Sequence, residues 1–429
     1  MDSKPSMIKK VAYWILAFVP LFIILETSAY VLLKKTIPNR ISGRVGDRNI
    51  EFQLDQRKQT SQNQNQIVSD SKTSTNSHGA KVVGLRMFNP LLGWDYPPDI
   101  TYQDIDNITY NHGPMGERLT CTSYENTFIS TYGDSFTYCA NVQDDCTWQT
   151  FLAKKLNQNV LNFGVGGYGT DQAVLKHELQ NQINPKIVML CILPENINRV
   201  VNIYRPFYTY NDPLRLTKPV FVKRGDQLVL VPNPLKSLDD IDKLDDPEFM
   251  MELAKYDYWY QLDQKLPGLS FPWTVSLFHW RDAVLKQIGI SLPRTAYTTF
   301  LKPHYPWNLF DEDYPFSVMC HLVDRFVVNA SARGSFPIIV IMPHKDYIQE
   351  SMEHGVNRVA RLVKYLTDQK YPFIDTVQIM ANMGPSGSEL ERMYHGHATA
   401  WGNEVLAEII FNHLKNLAPL KMDQEKTSP

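Results

Sequence analysis

Three short strings in this chain hold the residue types that acyl transfer at a serine requires. Gly133-Asp134-Ser135 follows an apolar, β-prone run over 126–132 and precedes a helical stretch at 147–156. A hydroxyl at such a strand-to-helix turn projects from the carboxyl edge of a parallel sheet, where backbone N–H groups converge beside it. Further on, Asn162-Phe163-Gly164-Val165-Gly166-Gly167-Tyr168-Gly169 carries a second strand into a glycine-rich turn. Near the C-terminus, His395-Gly396-His397 leads to another helical stretch at 404–417. A serine hydroxyl is a poor nucleophile at neutral pH and needs a base within about 2.6–3.2 Å. The tetrahedral oxyanion then needs fixed donors, each contributing about 3–4 kcal/mol. A glycine at 167 lets the backbone approach closely and take positive φ.

Ser135 and His397 are far apart in the chain, so only a fold that gathers strand ends can make them partners. The pattern supplies one. Apolar strands are expected at 126–132, from 160, at 187–193, 336–342 and 372–375, alternating with helices at 147–156, 170–183, 316–331, 346–368 and 404–417. That alternation implies α/β architecture with a parallel, doubly wound sheet whose strand-to-helix loops emerge at one edge. The third strand ends in Pro194-Glu195-Asn196. Residues 200–315 break the rhythm as a large insertion, with a hairpin expected at 220–231 and aromatic clusters at 204–208, 256–260 and 304–307. It leaves from the loop carrying Asn196, which makes it a candidate cap whose aromatics could stack on sugar rings or form the insertion's own core.

The ordered set of serine, glycine turn, asparagine and histidine resembles the SGNH/GDSL hydrolase superfamily, esterases and acyltransferases on a flavodoxin-like sheet. The resemblance covers roughly 126–199 and 335–417. It implies a sheet of about five strands, Ser135 as nucleophile and oxyanion donor, Gly167 and Asn196 as further donors, and His397 as base. Two departures stand out: block III reads Pro-Glu-Asn in place of the usual Gly-Asn-Asp, and the aspartate expected two or three residues before the histidine is replaced by His395 and Tyr394. Glu391, Asp375 or a backbone carbonyl could take the role of the missing acid. Asp134 reads as a structural hydrogen-bonder in its turn, and His395 as the competitor to His397.

Other chemistries find less support. The glycine string lacks the Gly-Lys-Ser/Thr ending of a nucleotide loop. A formal net charge of −2 over 429 residues, with no basic stripe among aromatics, gives no field for nucleic acid. No Cys-x-x-Cys or histidine-rich ligand spacing implies a metal, and no cofactor is expected. The five cysteines include Cys139 and Cys146, close enough in sequence to close a small loop beside Ser135 in an oxidising compartment.

The N-terminus has its own organisation. After a tail at 1–10, an apolar run opens at Val11 and closes at Leu33 between lysine pairs, broken by Pro20 and Glu26. At 1.5 Å per residue it reaches about 34 Å, so it reads as one transmembrane anchor. Residues 34–85 are polar and read as a tether. A hydrolase domain is expected over 86–418, then a flexible tail over 419–429. Lysines and arginines are nearly balanced across the run, and it is the resemblance that puts the bulk outside the cytoplasm. The function expected is a membrane-anchored serine esterase or O-acyltransferase working on ester groups, O-acetyl above all, of a carbohydrate. The alternative is a non-catalytic envelope or polysaccharide-assembly protein that keeps the fold with a degraded site.

Overall fold

A computed structural model describes residues 7–36, 82–83 and 86–415, apart from 105, 123–126, 208–213, 215, 226, 265–268, 282–283 and 285–307. Most of the expected tether, the tail at 419–429 and the aromatic cluster at 304–307 therefore lie outside the described residues. The chain forms two compact units, 63–242 with 308–429 and 1–62 with 243–307. The insertion at 200–315 is divided between them.

The larger unit is built on five parallel strands: β1 (Thr127–Gly133), β2 (Asn159–Gly164), β3 (Ile187–Ile192), β4 (Phe336–Ile341) and β5 (Phe373–Asp375). Their order is β5-β4-β3-β1-β2, and every pairing is parallel. This is the flavodoxin-like order, in which the chain reverses direction between β1 and β3 and leaves a crevice at their carboxyl ends. The strands read as continuous apolar runs because helices cover both faces. All six residues of Ile187–Ile192 are buried, each large aliphatic contributing about 1.5–3 kcal/mol.

Helices α1 (Trp148–Leu156) and α5 (Ala400–Leu414) pack together, and α2 (Thr170–Leu179) packs with α3 (Asp313–Ala332). A forked ion pair fixes the second couple, with Arg325 Nε and Nη2 donating to Glu178 at 2.6 and 2.8 Å. Each helix expected from periodicity is present, but the one at 346–368 is two: Lys345–His354 and α4 (Ala360–Asp368). Gly355 ends the first in the left-handed conformation at φ +62°, so the apolar spacing carries across a break that glycine makes. The hairpin at 220–231 forms as two antiparallel strands, Val220–Arg224 and Gln227–Val231.

In the smaller unit, Met7–Thr36 is one 30-residue helix with Pro20 inside it. Among the described residues no helix is long and apolar enough to cross a membrane, so the spanning helix expected over 11–33 finds no support in them. Glu26, inside that run, is buried; its carboxylate accepts from Trp273 N–H, Thr274 N–H and Thr274 Oγ1 at the start of the helix Trp273–His279.

Candidate active site

Ser135 stands at the first position of a one-turn helix, Ser135–Tyr138, directly after β1. Asp134 caps that turn, accepting from Phe136 N–H at 3.0 Å. The turn lies hard against β2: a Cβ on Gly164 would collide with the backbone of Thr137 and Tyr138, so only glycine fits there. Ser135 thereby sits at the topological switch point.

His397 is carried on a small hairpin, Tyr394–His395 paired with His397–Ala398 around Gly396 at φ +75°. Two contacts anchor the hairpin's exit: Thr399 N–H donates to Met393 O at 2.8 Å, and Asn403 Nδ2 to Cys146 O at 3.1 Å. His397 Nε2 lies 2.9 Å from Ser135 Oγ. Its Nδ1 lies 2.7 Å from Asn141 Oδ1. An amide oxygen can only accept, so Nδ1 carries the proton, Nε2 presents its lone pair, and the serine hydroxyl donates to it. Burial, then His344 and Arg199, push the His397 pKa down to about 4. The imidazole is therefore neutral at neutral pH, the form a base must have.

Neither carboxylate considered for the third position is there. Glu391 is exposed and pairs with Lys345 at 2.9 Å. Asp375 caps the helix Thr376–Met383, accepting from Gln378 N–H at 3.0 Å and from Asn357 Nδ2 at 3.3 Å. A side-chain amide, not a backbone carbonyl, faces Nδ1. His395 is exposed on the other arm of the hairpin, and the imidazole bonded to Ser135 is that of His397.

Asn141 has φ +70°, a conformation asparagine tolerates better than most residues. Its loop is wrapped around one buried guanidinium. Arg118 donates to Tyr138 O at 3.0 Å, Cys139 O at 2.6 Å and Val142 O, and pairs with Asp144 at 2.7 Å. Sequence reasoning missed Asn141 and Arg118; an asparagine six residues after the serine is too common a pattern to single out the first. Cys139 is buried, its Sγ 3.3 Å from Gln149 Oε1, and Cys139 and Cys146 are both free thiols, so the small loop they could close in an oxidising compartment is not closed here.

A second arginine ties the turns around Ser135 together. Arg199 Nη1 donates to Tyr168 O at 2.9 Å and lies 3.4 Å from Asp134 Oδ2, while Nη2 lies 3.2 Å from Glu195 Oε1. One side chain thus ties together the serine turn, the glycine turn and the turn after β3. Burial pushes the Asp134 carboxyl up, opposed by Arg199 and by hydrogen bonds from Phe136 N–H and the Asn196 side chain. Burial would also raise Glu195, but Arg199, Arg205 and His344 outweigh it and hold that carboxyl below its usual range.

Asn196 is buried beside Asp134, and its Oδ1 has no hydrogen-bond partner. Gly167 takes φ +84° at the bend of the glycine turn. Among the described residues neither the Ser135 N–H nor the Gly167 N–H has an acceptor. The turns carrying Ser135, Gly167 and Asn196 follow the carboxyl ends of β1, β2 and β3, the same sheet edge at which the serine is bonded to a neutral imidazole. Such a set can remove a proton from Ser135 and hold a negative oxygen.

No family model matches the chain, and no curated protein matches it. Solved structures to which the chain shows similarity include a protein assigned to the G-D-S-L lipolytic family from Desulfitobacterium hafniense DCB-2, 10% identical at TM-score 0.32, covering 67% of this chain and 99% of that one. Another, of the lipolytic G-D-S-L family from Veillonella parvula DSM 2008, is 12% identical at TM-score 0.32, covering 68% and 100%. A carbohydrate esterase is 10% identical at TM-score 0.28, covering 74% and 70%. The chemistry proposed below is drawn from this chain's own residues and not from these neighbours.

Proposed function

We propose that this protein is an SGNH-type serine hydrolase that cleaves or transfers an ester-linked acyl group. One observation carries the reading: the continuous relay from Ser135 Oγ through both nitrogens of His397 to Asn141 Oδ1, at 2.9 and 2.7 Å. Nε2 takes the hydroxyl proton as Oγ attacks the ester carbon. The carbonyl π pair moves to oxygen, and the N–H groups of Ser135 and Gly167, with the Asn196 amide, receive that charge. Collapse expels the alkoxide, which takes the proton from Nε2 and leaves acyl-Ser135. Water or a sugar hydroxyl, deprotonated by the same Nε2, then attacks the acyl carbon and releases the serine.

Asn141 against Nδ1 favours the enzyme over the non-catalytic alternative, whose support was the absent aspartate. An acylated carbohydrate is the proposed substrate, on the strength of the family resemblance and the aromatic-rich insertion. Turnover of 4-nitrophenyl acetate by the full chain, abolished in Ser135→Ala and His397→Ala, tests the reading. An inactive wild type would refute it.

Membrane attachment through residues 11–33, with the bulk domain outside the cytoplasm, is a separate proposal. Its support is the lysine-flanked apolar run and the exposed Phe18, Leu21, Phe22, Ile24 and Leu25. Recovery of the expressed full chain in a carbonate-washed membrane fraction supports it, and release by carbonate contradicts it.

A further inference from the structure

Building on the assignment of Gly167 as an oxyanion donor, we propose that Arg86 and Trp94 are positioning residues that aim the Gly167 N–H at the reacting oxygen. The peptide between Gly166 and Gly167 is a trans plane, so its C=O and N–H point to opposite sides. Whatever holds the Gly166 oxygen therefore sets the direction of the Gly167 N–H. Two side-chain donors hold it, Trp94 Nε1 at 3.1 Å and Arg86 Nε at 3.3 Å.

These anchors are themselves fixed. The Trp94 indole is fully buried, meets the Tyr168 ring edge-on at 5.8 Å, and its carbonyl accepts from Tyr168 Oη at 2.7 Å. The preceding peptide is held as well, because Gly166 N–H donates to Tyr96 Oη at 3.1 Å. A Cβ on Gly166 would meet Arg86 Nη2 at 2.7 Å and Tyr96 Oη at 2.9 Å, so both side chains lie directly on this glycine.

The next two carbonyls are held in the same manner. Gly167 O accepts from Arg205 Nη1 at 3.1 Å and Tyr168 O from Arg199 Nη1 at 2.9 Å. Three successive carbonyls thus each accept from a different guanidinium, while the Gly167 N–H between the first two has no acceptor among the described residues. The charge on Arg86 also polarises the Gly166 carbonyl, and this strengthens the N–H at the other end of the same peptide. Arg86 and Trp94 touch neither nucleophile nor base; they act through the Gly166–Gly167 peptide.

The test uses full-length Trp94→Phe, which keeps a ring and deletes only the donor, together with Arg86→Ala and Arg86→Lys. Three quantities are read: kcat and KM on 4-nitrophenyl acetate, the inhibition constant of an alkyl trifluoromethyl ketone, and the thermal midpoint. The ketone adds Ser135 Oγ at its carbonyl and places the resulting oxyanion in the hole. Loss of one such donor lowers kcat by about 10²–10³, so misaiming it should lower kcat about tenfold or more with KM little changed. The ketone should weaken by the same factor, and Arg86→Lys should recover part of both. Unchanged kcat and ketone affinity in Trp94→Phe and Arg86→Ala would overturn the proposal while leaving the esterase reading intact. A fall in kcat without a fall in ketone affinity would overturn it too, marking a structural role only. A wild type that neither turns over ester nor binds the ketone would remove the esterase reading, and this inference with it.

Discussion

The Nδ1 of His397 meets the Oδ1 of Asn141 at 2.7 Å across 256 positions of chain. The amide fixes the tautomer that a serine partner needs without placing a negative charge beside the ring. Orientation is therefore supplied, and charge stabilisation of the imidazolium is left to the surroundings. Asn141→Ala should lower kcat by about 10²-fold or more, bounded by the roughly 10⁴ seen when a triad orienter fails. Asn141→Asp should stay active at neutral pH. Steady-state kinetics on a chromogenic ester decide the matter, and an Asn141→Ala variant within about twofold of wild type would deny the asparagine its role.

The same geometry fixes the pH response. With the His397 pKa pushed down to about 4, the base form persists well into acid. Protonation removes the lone pair that accepts from Ser135, so kcat/KM should be flat from neutral pH downward, halve near pH 4 and fall about tenfold per unit below that. In Asn141→Asp a carboxylate at the ring favours the imidazolium, which moves the acid limb to higher pH. A wild-type midpoint near the ordinary histidine value would contradict the burial argument.

Some of this was legible in the sequence, and the division has a physical basis. Ser135, Gly167, Asn196 and His397 each lie at or within three residues of the start of a helix, where periodicity changes and the chain shows its joints. The sheet was legible for the same reason, since a strand such as Ile187–Ile192, buried on both faces, reads as an unbroken apolar run. Asn141, Arg118 and Arg199 were not legible. A buried arginine such as Arg118 is written like any surface arginine, and only the carbonyls that converge on it reveal its burial. Glu391 was attractive because it lies near His397 in sequence, but it sits on the exposed helix Gly387–Met393 and reaches Lys345 instead.

Arg118 should matter to stability and activity together. Its side chain is fully buried and that of Asp144 nearly so. Arg118→Met leaves the buried Asp144 carboxylate without its cation, with only the Asn111 donors, and frees the carbonyls of the loop that carries Asn141. Breaking a buried pair on one side costs about 3–5 kcal/mol, and the loosened loop should lower kcat as well. Urea unfolding of the full chain reports the first effect, and a loss under about 1 kcal/mol would show that the pair is dispensable.

The cysteines give a simple redox prediction. All five are free, and Cys139 and Cys146 do not pair. Burial pushes the Cys139 thiol up to about 12, so it is an unreactive hydrogen-bonding group in the folded protein. Reductant should leave the thermal midpoint and activity unchanged, and thiol titration of the denatured chain should count five. A count of three would mean that a disulfide exists after all.

The central claim is that Ser135 is a nucleophile activated by His397. Its most direct measurement is to incubate the full-length protein with a fluorophosphonate and map the adduct by peptide mass. Attachment at Ser135, absent from Ser135→Ala and strongly slowed in His397→Ala, is the predicted result. A wild type that takes up no label, or takes it up equally with Ser135 removed, would contradict it.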